Sequence, residues 1–327
     1  MRVSVAIPVY NEEEILPELL RRLRAVLAGI PGGPHEMVLV DDGSTDRTPE
    51  ILRDEAGRDP RLIVVIFSRN FGHQAAVTAA LDHVTGDVTV VMDGDLQDAP
   101  ENIPDFLDKY SEGYDVVYAR RTRRKEVWWL RFCYYAFYRL ITMLSDTRLP
   151  LDAGDFGLMS RRVVNEIRAM PEHHRYLRGL RTWVGFRQVD IPIERAERYA
   201  GQPKYSALKL LKLATDGIFS FSVVPLRFAT MLGAATMSVA MVYALYSLWI
   251  KLVQGQPPKG FTALIIAIIF LAGVQLFFMG IIGEYVGRLF EASKARPNYI
   301  VAERFGGVRS GIAVEMPSQA AVRSYRD

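Results

Sequence analysis

The hydrophobic residues of the N-terminal third fall into short uninterrupted runs. Val3 to Val9, Met37 to Val40, Leu62 to Phe67 and Val88 to Met92 are apolar and rich in β-branched residues, the pattern of strands buried on both faces. Between them the period lengthens to that of amphipathic helices. From Glu12 to about Leu27, one stripe carries Ile15, Leu19, Leu20, Leu23, Val26 and Leu27, with Asn11 placed as the N-cap. Further helices are predicted from about Thr48 to Ala56, Gln74 to His83 and Ile103 to Tyr110, and a further strand over Tyr114 to Tyr118. Four successive strand–helix units predict a parallel sheet covered by helices on both sides.

The pattern then changes. Phe228 to Ile250 and Phe261 to Gly283 are each 23 residues without a charge, and at ~1.5 Å per residue each can span a hydrocarbon core of ~30 Å. The short joint, Lys251 to Gly260, predicts a hairpin with both ends on one side. Lys204, Lys209, Lys212 and Arg227 precede it and Arg288, Lys294, Arg296 and Arg304 follow it, whereas the joint carries only Lys251 and Lys259. That bias places the N-terminal domain and the C-terminal tail in the cytoplasm. Tyr205 to Phe221 is amphipathic and predicted to lie along the bilayer before the first span. Arg120-Arg121-Thr122-Arg123-Arg124-Lys125 precedes the aromatic segment Trp128 to Tyr138. Those two stretches read equally as a solvated loop before a core helix or as a helix at lipid headgroups. Beyond Gly306 there is no periodicity. The predicted division is a catalytic domain over 1–200, a juxtamembrane segment over 201–227, a hairpin over 228–283 and a tail over 284–327.

Composition adds three exclusions. A hydrophobic fraction of 50% agrees with membrane segments. A formal charge of +3 supplies no concentrated basic face, so no nucleic-acid partner is expected. The single cysteine, Cys133, excludes an internal disulfide and Cys-rich zinc motifs; it is read as a small apolar filler. The first residues lead directly into a strand, so no signal peptide is expected.

Candidate chemistry lies just after the strands, where open α/β sheets bind ligands. The set is Pro8, Tyr10, Asn11 and Glu12; Asp41 and Asp42; Asn70 and Gly72; and Asp93, Gly94, Asp95, Gln97 and Asp98. Asp93 and Asp95, two residues apart on extended backbone, leave on the same side. Such a pair repels unless a cation sits between, and a hard divalent ion bound to phosphate oxygens suits it. An isolated Asp-Gly-Asp is read first as a polar turn; the other acidic strand ends favour a nucleoside diphosphate site. Neither a Gly-x-x-x-x-Gly-Lys-[Ser/Thr] loop nor a Gly-x-Gly-x-x-Gly after the first strand is present. His73 and His83, flanking a helix, are read as surface or hydrogen-bonded residues.

Ile7-Pro8-Val9-Tyr10-Asn11-Glu12-Glu13, Val40-Asp41-Asp42-Gly43-Ser44-Thr45-Asp46 and Met92-Asp93-Gly94-Asp95-Leu96-Gln97-Asp98 resemble the nucleotide-sugar motifs of glycosyltransferase family 2. Ser68-Arg69-Asn70-Phe71-Gly72-His73-Gln74, Asp152 to Met159 and Arg178-Gly179-Leu180-Arg181 narrow the likeness to the polyprenyl-phosphate glycosyltransferases, and the two-span end to their bacterial bactoprenol-glucosyltransferase-like subgroup. The resemblance, over about residues 3 to 300, implies a GT-A fold: a Rossmann-like, mostly parallel sheet followed by a two-helix transmembrane hairpin. It implies a divalent metal, Mg2+ or Mn2+, on Asp93 and Asp95, and Gln97 near the sugar or acceptor. Pro8, Tyr10, Glu12 and Asp42 would hold the nucleoside. Arg121 and Arg124, then Arg198, Lys204, Tyr205 and Ser206, would meet the acceptor phosphate; Gly201-Gln202-Pro203-Lys204 stands where Gly-x-Ser/Thr-Lys is usual. Asp155 is the implied general base and Asp152 the alternative. A phosphomonoester with a second pKa of ~6 is already ionised at neutral pH, so Asp155 can position the acceptor instead.

The implied reaction moves a sugar, glucose from UDP-glucose by default, to a polyprenyl phosphate with inversion, at the bacterial inner membrane. Relatives of the subgroup suggest a homotetramer. Two other readings are a catalytically silent nucleotide-sugar sensor and a processive polysaccharide synthase. Intact acids weigh against the first; two spans and no Gln-x-x-Arg-Trp weigh against the second.

Overall fold

The computed structural model describes residues 1–121, 153–172, 175–193, 224–254 and 260–307. Asp152, Arg124, Arg198, Lys204, Tyr205 and Ser206 lie outside them, as do Cys133, the aromatic segment after Lys125 and the amphipathic stretch before the hairpin.

The four strands predicted from apolar runs are β1 (Val3–Val9), β2 (Glu36–Asp41), β3 (Leu62–Phe67) and β4 (Val88–Val91). They alternate with α1 (Leu16–Gly29), α2 (Thr48–Arg58) and α3 (His73–His83), and α4 (Ile103–Ser111) follows. Next come β5 (Val116–Arg121), β6 (Ala153–Ser160), α5 (Arg161–Ala169), α6 (Leu177–Trp183) and β7 (Gln188–Ile193). Two long helices, α7 (Val224–Gln254) and α8 (Phe261–Ser293), lead to β8 (Val301–Phe305).

One eight-stranded sheet runs in the order β7-β5-β6-β4-β1-β2-β3-β8. β1 pairs in parallel with β2 and β4, and β2 with β3. β6 is inserted antiparallel between β4 and β5, while β8 runs antiparallel along β3. The central strands β1 to β4 are mostly apolar and fully buried because both faces are covered. Val5, Ile7, Leu39, Val64 and Val90 pack with α1, α2 and α4, whereas Ala6, Val38, Val40, Val65 and Val91 pack with α3, α5 and α6.

Asn11 is not the cap of α1. It has φ +54° and its side-chain carbonyl accepts the Thr45 N–H at 2.8 Å, so it ties the first strand end to the second. The helix starts later, at Leu16, with Ile15 at the N-cap and proline in its first turn, a position where the missing N–H costs nothing.

Helices α7 and α8, of 31 and 33 residues, contain the spans predicted from charge-free sequence. Two stretches, Leu226–Ile250 and Ala267–Ser293, are long and apolar enough to cross a membrane, and neither is buried by the rest of the chain. Met231, Val239 and Leu252 are 71%, 71% and 76% exposed. So much contiguous apolar surface calls for a lipid environment or a partner. The segment read as tail contributes β8: Val64 to Phe67 align with Phe305 back to Val301, and the Ser68 N–H donates to the Ile300 carbonyl at 3.0 Å. Tyr299 stacks on Phe67 with ring centroids 5.0 Å apart and donates to Asp82 at 2.8 Å. The chain therefore leaves the sheet, runs through both apolar helices and returns to the same sheet, the connectivity of a hairpin.

Candidate active site

The ends of β1, β2, β3 and β4 bring their loops to one edge of the sheet. In the first loop, Asn11 N–H donates to Ser44 Oγ at 2.8 Å and Glu12 N–H to Thr48 Oγ1 at 2.9 Å. Asp42, 4% exposed, accepts the Phe71 N–H at 2.7 Å and the Gly72 N–H at 3.0 Å, which binds the second loop to the third. Asp41 is fully buried and accepts the Ser44 backbone N–H at 3.2 Å and the Ser44 hydroxyl. Burial raises the pKa of both carboxyls, opposed at Asp41 by Ser44 and at Asp42 by the two backbone donors. Both acids thus act here as braces of the loops. Pro8 is buried within β1, whereas Tyr10 is exposed at the mouth and Asn70 is exposed on the third loop.

Gly43 lets these loops close up. Its φ is +68°, and a Cβ there would lie 2.5 Å from the Arg69 carbonyl carbon. We expect Gly43→Ala to destabilise the domain by about 1–3 kcal/mol and to weaken nucleotide binding, read as a lower melting temperature and a higher Kd. Gly94 has a related role: a Cβ would fall 2.9 Å from Val9 Cγ1 and 3.2 Å from the Pro8 carbonyl oxygen.

After β4 the chain turns through Asp93 and Asp95. Asp95 Oδ1 accepts the Gln97 N–H at 3.1 Å, and Leu96 has φ +55°, so Gln97 is held beside the acids by a tight turn. On the neighbouring strand, Val88 aligns with Ser160 and Val91 with Gly157. Continuing that antiparallel register past Val91 brings residue 93 level with residue 155. The two acids are 62 residues apart in sequence, and the sheet order sets them side by side.

His73 lies between them. Its Nε2 is 3.7 Å from Asp93 Oδ1 and 3.9 Å from Asp155 Oδ2. The sequence reads it as surface or hydrogen-bonded, and its side chain is 45% exposed; the period of α3 does not show that this first residue also faces two acids. His83 is hydrogen-bonded as expected, its Nδ1 2.8 Å from the Ala79 carbonyl oxygen.

Asp155 is also held by α6. Arg178 donates from Nε and Nη2 to its two oxygens at 2.7 and 2.8 Å. Burial pushes the Asp155 carboxyl up, but the charge and hydrogen bonds of Arg178, with His73 and Arg181, outweigh it and leave it at about 2. Such an ionised carboxylate is a weak proton acceptor at neutral pH, which favours positioning over the general-base role implied by resemblance. Since its folded pKa lies below the unfolded 3.8, the stability from this pair is fully present above that value and is lost as pH falls through about 2. We expect Asp155→Asn to leave the shape of the kcat/KM profile from pH 5 to 8 unchanged. A missing limb in the variant's profile would restore the base role.

Arg181, one turn beyond Arg178, is 2% exposed. Its Nη2 donates to the Gly154 carbonyl at 3.2 Å and its guanidinium lies 4.8 Å from the Tyr118 ring centroid. Burial lowers its pKa to about 10, so it stays cationic at neutral pH. Arg121 ends β5.

Among the described residues no group of three or more His, Cys, Asp or Glu could hold a metal by itself. Mg2+ is commonly bound by one or two carboxylates together with substrate phosphates. Asp93 and Asp95 offer hard oxygen donors on one turn, and the donor set fits.

A mostly parallel sheet with acidic strand ends on one edge, followed by two helices long and apolar enough to cross a membrane, is the architecture of a GT-A glycosyltransferase with a C-terminal hairpin. The glycosyl transferase family 2 model matches residues 4–168, and the GtrB C-terminal hairpin model matches residues 224–289. An uncharacterized glycosyltransferase YkcC of Bacillus subtilis is 42% identical over 94% of this chain and 95% of its own. A prophage bactoprenol glucosyl transferase homolog of Escherichia coli is 38% identical over 92% and 98%, and the bactoprenol glucosyl transferase of Shigella phage SfV matches to the same extent. The chain belongs to glycosyltransferase family 2.

Proposed function

We propose that the protein transfers a sugar, glucose by default, from a nucleotide sugar, UDP-glucose by default, to a polyprenyl phosphate. The observation that carries this reading is the junction of two features on one sheet. Asp93 and Asp155 come level at the ligand edge, and the same sheet takes its last strand from beyond the apolar hairpin. The relatives named for bactoprenol glucosyl transfer support the acceptor class.

In the proposed reaction an acceptor phosphate oxygen forms a bond to the anomeric carbon. The bond from that carbon to the β-phosphate oxygen breaks, its electron pair leaves with the nucleoside diphosphate, and a single displacement inverts the centre. The attacking phosphate is already anionic at neutral pH, so no proton need be removed. Asp93 and Asp95 would hold the divalent cation, which neutralises charge on the leaving diphosphate. The loops braced by Asn11, Asp41 and Asp42 would orient the nucleoside, and Gln97, whose backbone N–H is held by Asp95, would lie near the sugar or acceptor. We place the sheet and both termini on the cytoplasmic side of the bacterial inner membrane. The return of β8 to β3 supports this, since both ends of the hairpin then lie on one side.

The test is a panel of labelled nucleotide sugars offered to the full-length protein with polyprenyl phosphate and Mg2+ or Mn2+. Labelled lipid with one donor favoured is expected. Nucleotide binding without transfer from any donor would overturn the reading in favour of a sensor.

A further inference from the structure

We infer that His73 binds a hydroxyl of the transferred sugar, its Nε2–H donating to that oxygen while one of the two flanking carboxylates accepts the hydroxyl proton. This rests on the proposed nucleotide-sugar donor and gives a function to a side chain outside the candidate set read from the sequence.

The arrangement of the groups is the first ground. His73 Nε2 stands 3.7 Å from Asp93 Oδ1 and 3.9 Å from Asp155 Oδ2. Both distances exceed a hydrogen bond, so the ring nitrogen faces the acids without being bonded to either. With carboxylates on that side, the imidazole proton is favoured on Nε2 over Nδ1. An oxygen about 2.8 Å from Nε2 can also lie within hydrogen-bond reach of either acid. The side chains of His73 and Asp93 are 45% and 27% exposed, so a ligand can reach both from solvent.

Chemistry is the second ground. An anionic phosphate oxygen beside Nε2 would stand close to two carboxylates, whereas a hydroxyl accepts from the imidazole and donates to an acid. Sheet order is the third. The strands run β6-β4-β1-β2 at this edge. The proposed nucleoside residues follow β1 and β2, the proposed cation acids follow β4, and Asp155 lies on β6. A donor laid along that edge, with its nucleoside over β1 and β2 and its diphosphate at β4, directs its sugar toward β6. His73 reaches the gap between Asp93 and Asp155, at that end of the donor. Support is the fourth ground. The Gly72 N–H is held by Asp42, and the Gly72 carbonyl accepts the Ala75 N–H at 3.0 Å to begin α3. On the other side, Gln74 Oε1 accepts the Leu177 N–H at 3.0 Å. His73 is thus pinned at the residues before and after it, and a contact group so fixed is preorganised for its ligand.

The test uses full-length wild type, His73→Ala and His73→Gln, the last of which keeps an N–H donor. Calorimetry with Mn2+ measures affinity for UDP, for UDP-glucose and for singly deoxygenated UDP-glucose analogues; if the donor panel favours another nucleotide sugar, that sugar and its diphosphate take their place. For His73→Ala we expect UDP affinity within about twofold of wild type and UDP-glucose affinity about tenfold lower. One deoxy analogue should bind wild type about tenfold more weakly than UDP-glucose. The same analogue should bind His73→Ala as well as UDP-glucose does, because the removed hydroxyl has already lost its partner. His73→Gln should recover part of the loss. Melting temperature, and Mn2+ affinity followed by electron paramagnetic resonance, should match wild type. UDP and UDP-glucose affinities that fall together overturn the inference, since His73 would then meet the diphosphate or the ribose. A loss of Mn2+ affinity also overturns it, by making His73 a metal ligand. So does a folded His73→Ala protein that binds UDP-glucose like wild type, with the proposed function left standing. If wild type itself binds no nucleotide sugar, the proposed function fails and this inference falls with it.

Discussion

An Asp95→Asn protein is expected to lose metal-dependent nucleotide-sugar binding and about 10²–10³-fold or more in turnover. The substitution isolates charge from shape. Asp95 Oδ1 accepts the Gln97 N–H at 3.1 Å, and an asparagine carbonyl can accept the same bond, so the turn beyond β4 should survive. What disappears is one of the two carboxylates proposed to attract the cation. Calorimetric titration of nucleotide with and without Mg2+ or Mn2+, alongside turnover with labelled sugar, checks this. The contrast with Asp155→Asn is informative, because that variant should keep nucleotide binding. Nucleotide affinity in Asp95→Asn that still rises on adding metal would remove Asp95 from the metal site.

Ending the chain at Lys294 is expected to destabilise the catalytic sheet by about 3–5 kcal/mol, from ladder hydrogen bonds and a stacked aromatic pair. The deletion removes β8 and with it the alignment on β3, the Ser68–Ile300 hydrogen bond and the Tyr299 ring on Phe67. It also opens the edge of β3, and an unpaired apolar edge promotes aggregation. Activity should fall although β8 itself lies away from the carboxylates, because β3 leads into Phe71, Gly72 and His73. Two point variants separate the contributions. Tyr299→Phe removes only the bond to Asp82, worth about 1 kcal/mol, and Tyr299→Ala removes the stacking as well, about 2 kcal/mol in total. Melting curves of the purified proteins measure all three. A truncated protein that melts and turns over like the full chain would show that β8 does not support the site.

Tyr299 also shows where a sequence reading stops. Its partner Asp82 is 217 residues away, and β8 is a five-residue strand with every residue but its last exposed, too weak a pattern to stand out after a long apolar helix. Strand β6 was hidden for a different reason. It carries Gly154, Asp155 and Gly157 among its eight residues, and such residues are depleted in strands. Gly157 is there because a Cβ would lie 2.5 Å from the Val117 carbonyl oxygen, a contact set by the pairing of β5 with β6.

Local interactions made the rest legible. The apolar runs of β1 to β4 identify themselves because a strand covered on both faces needs no polar position. The two charge-free helices do so because their length matches a bilayer. The acids at strand ends could be named before any coordinate was known, and so could the two carboxylates suited to a cation. Only the tertiary structure decided which of these meet. The insertion of antiparallel β6 beside β4 sets Asp155 level with Asp93, the docking of α6 clamps Asp155 with Arg178, and the first residue of α3 turns His73 between the acids. Spacing within a strand or helix is fixed by its own period, whereas contacts between elements depend on sheet order and register, which are settled by the packing of the whole domain.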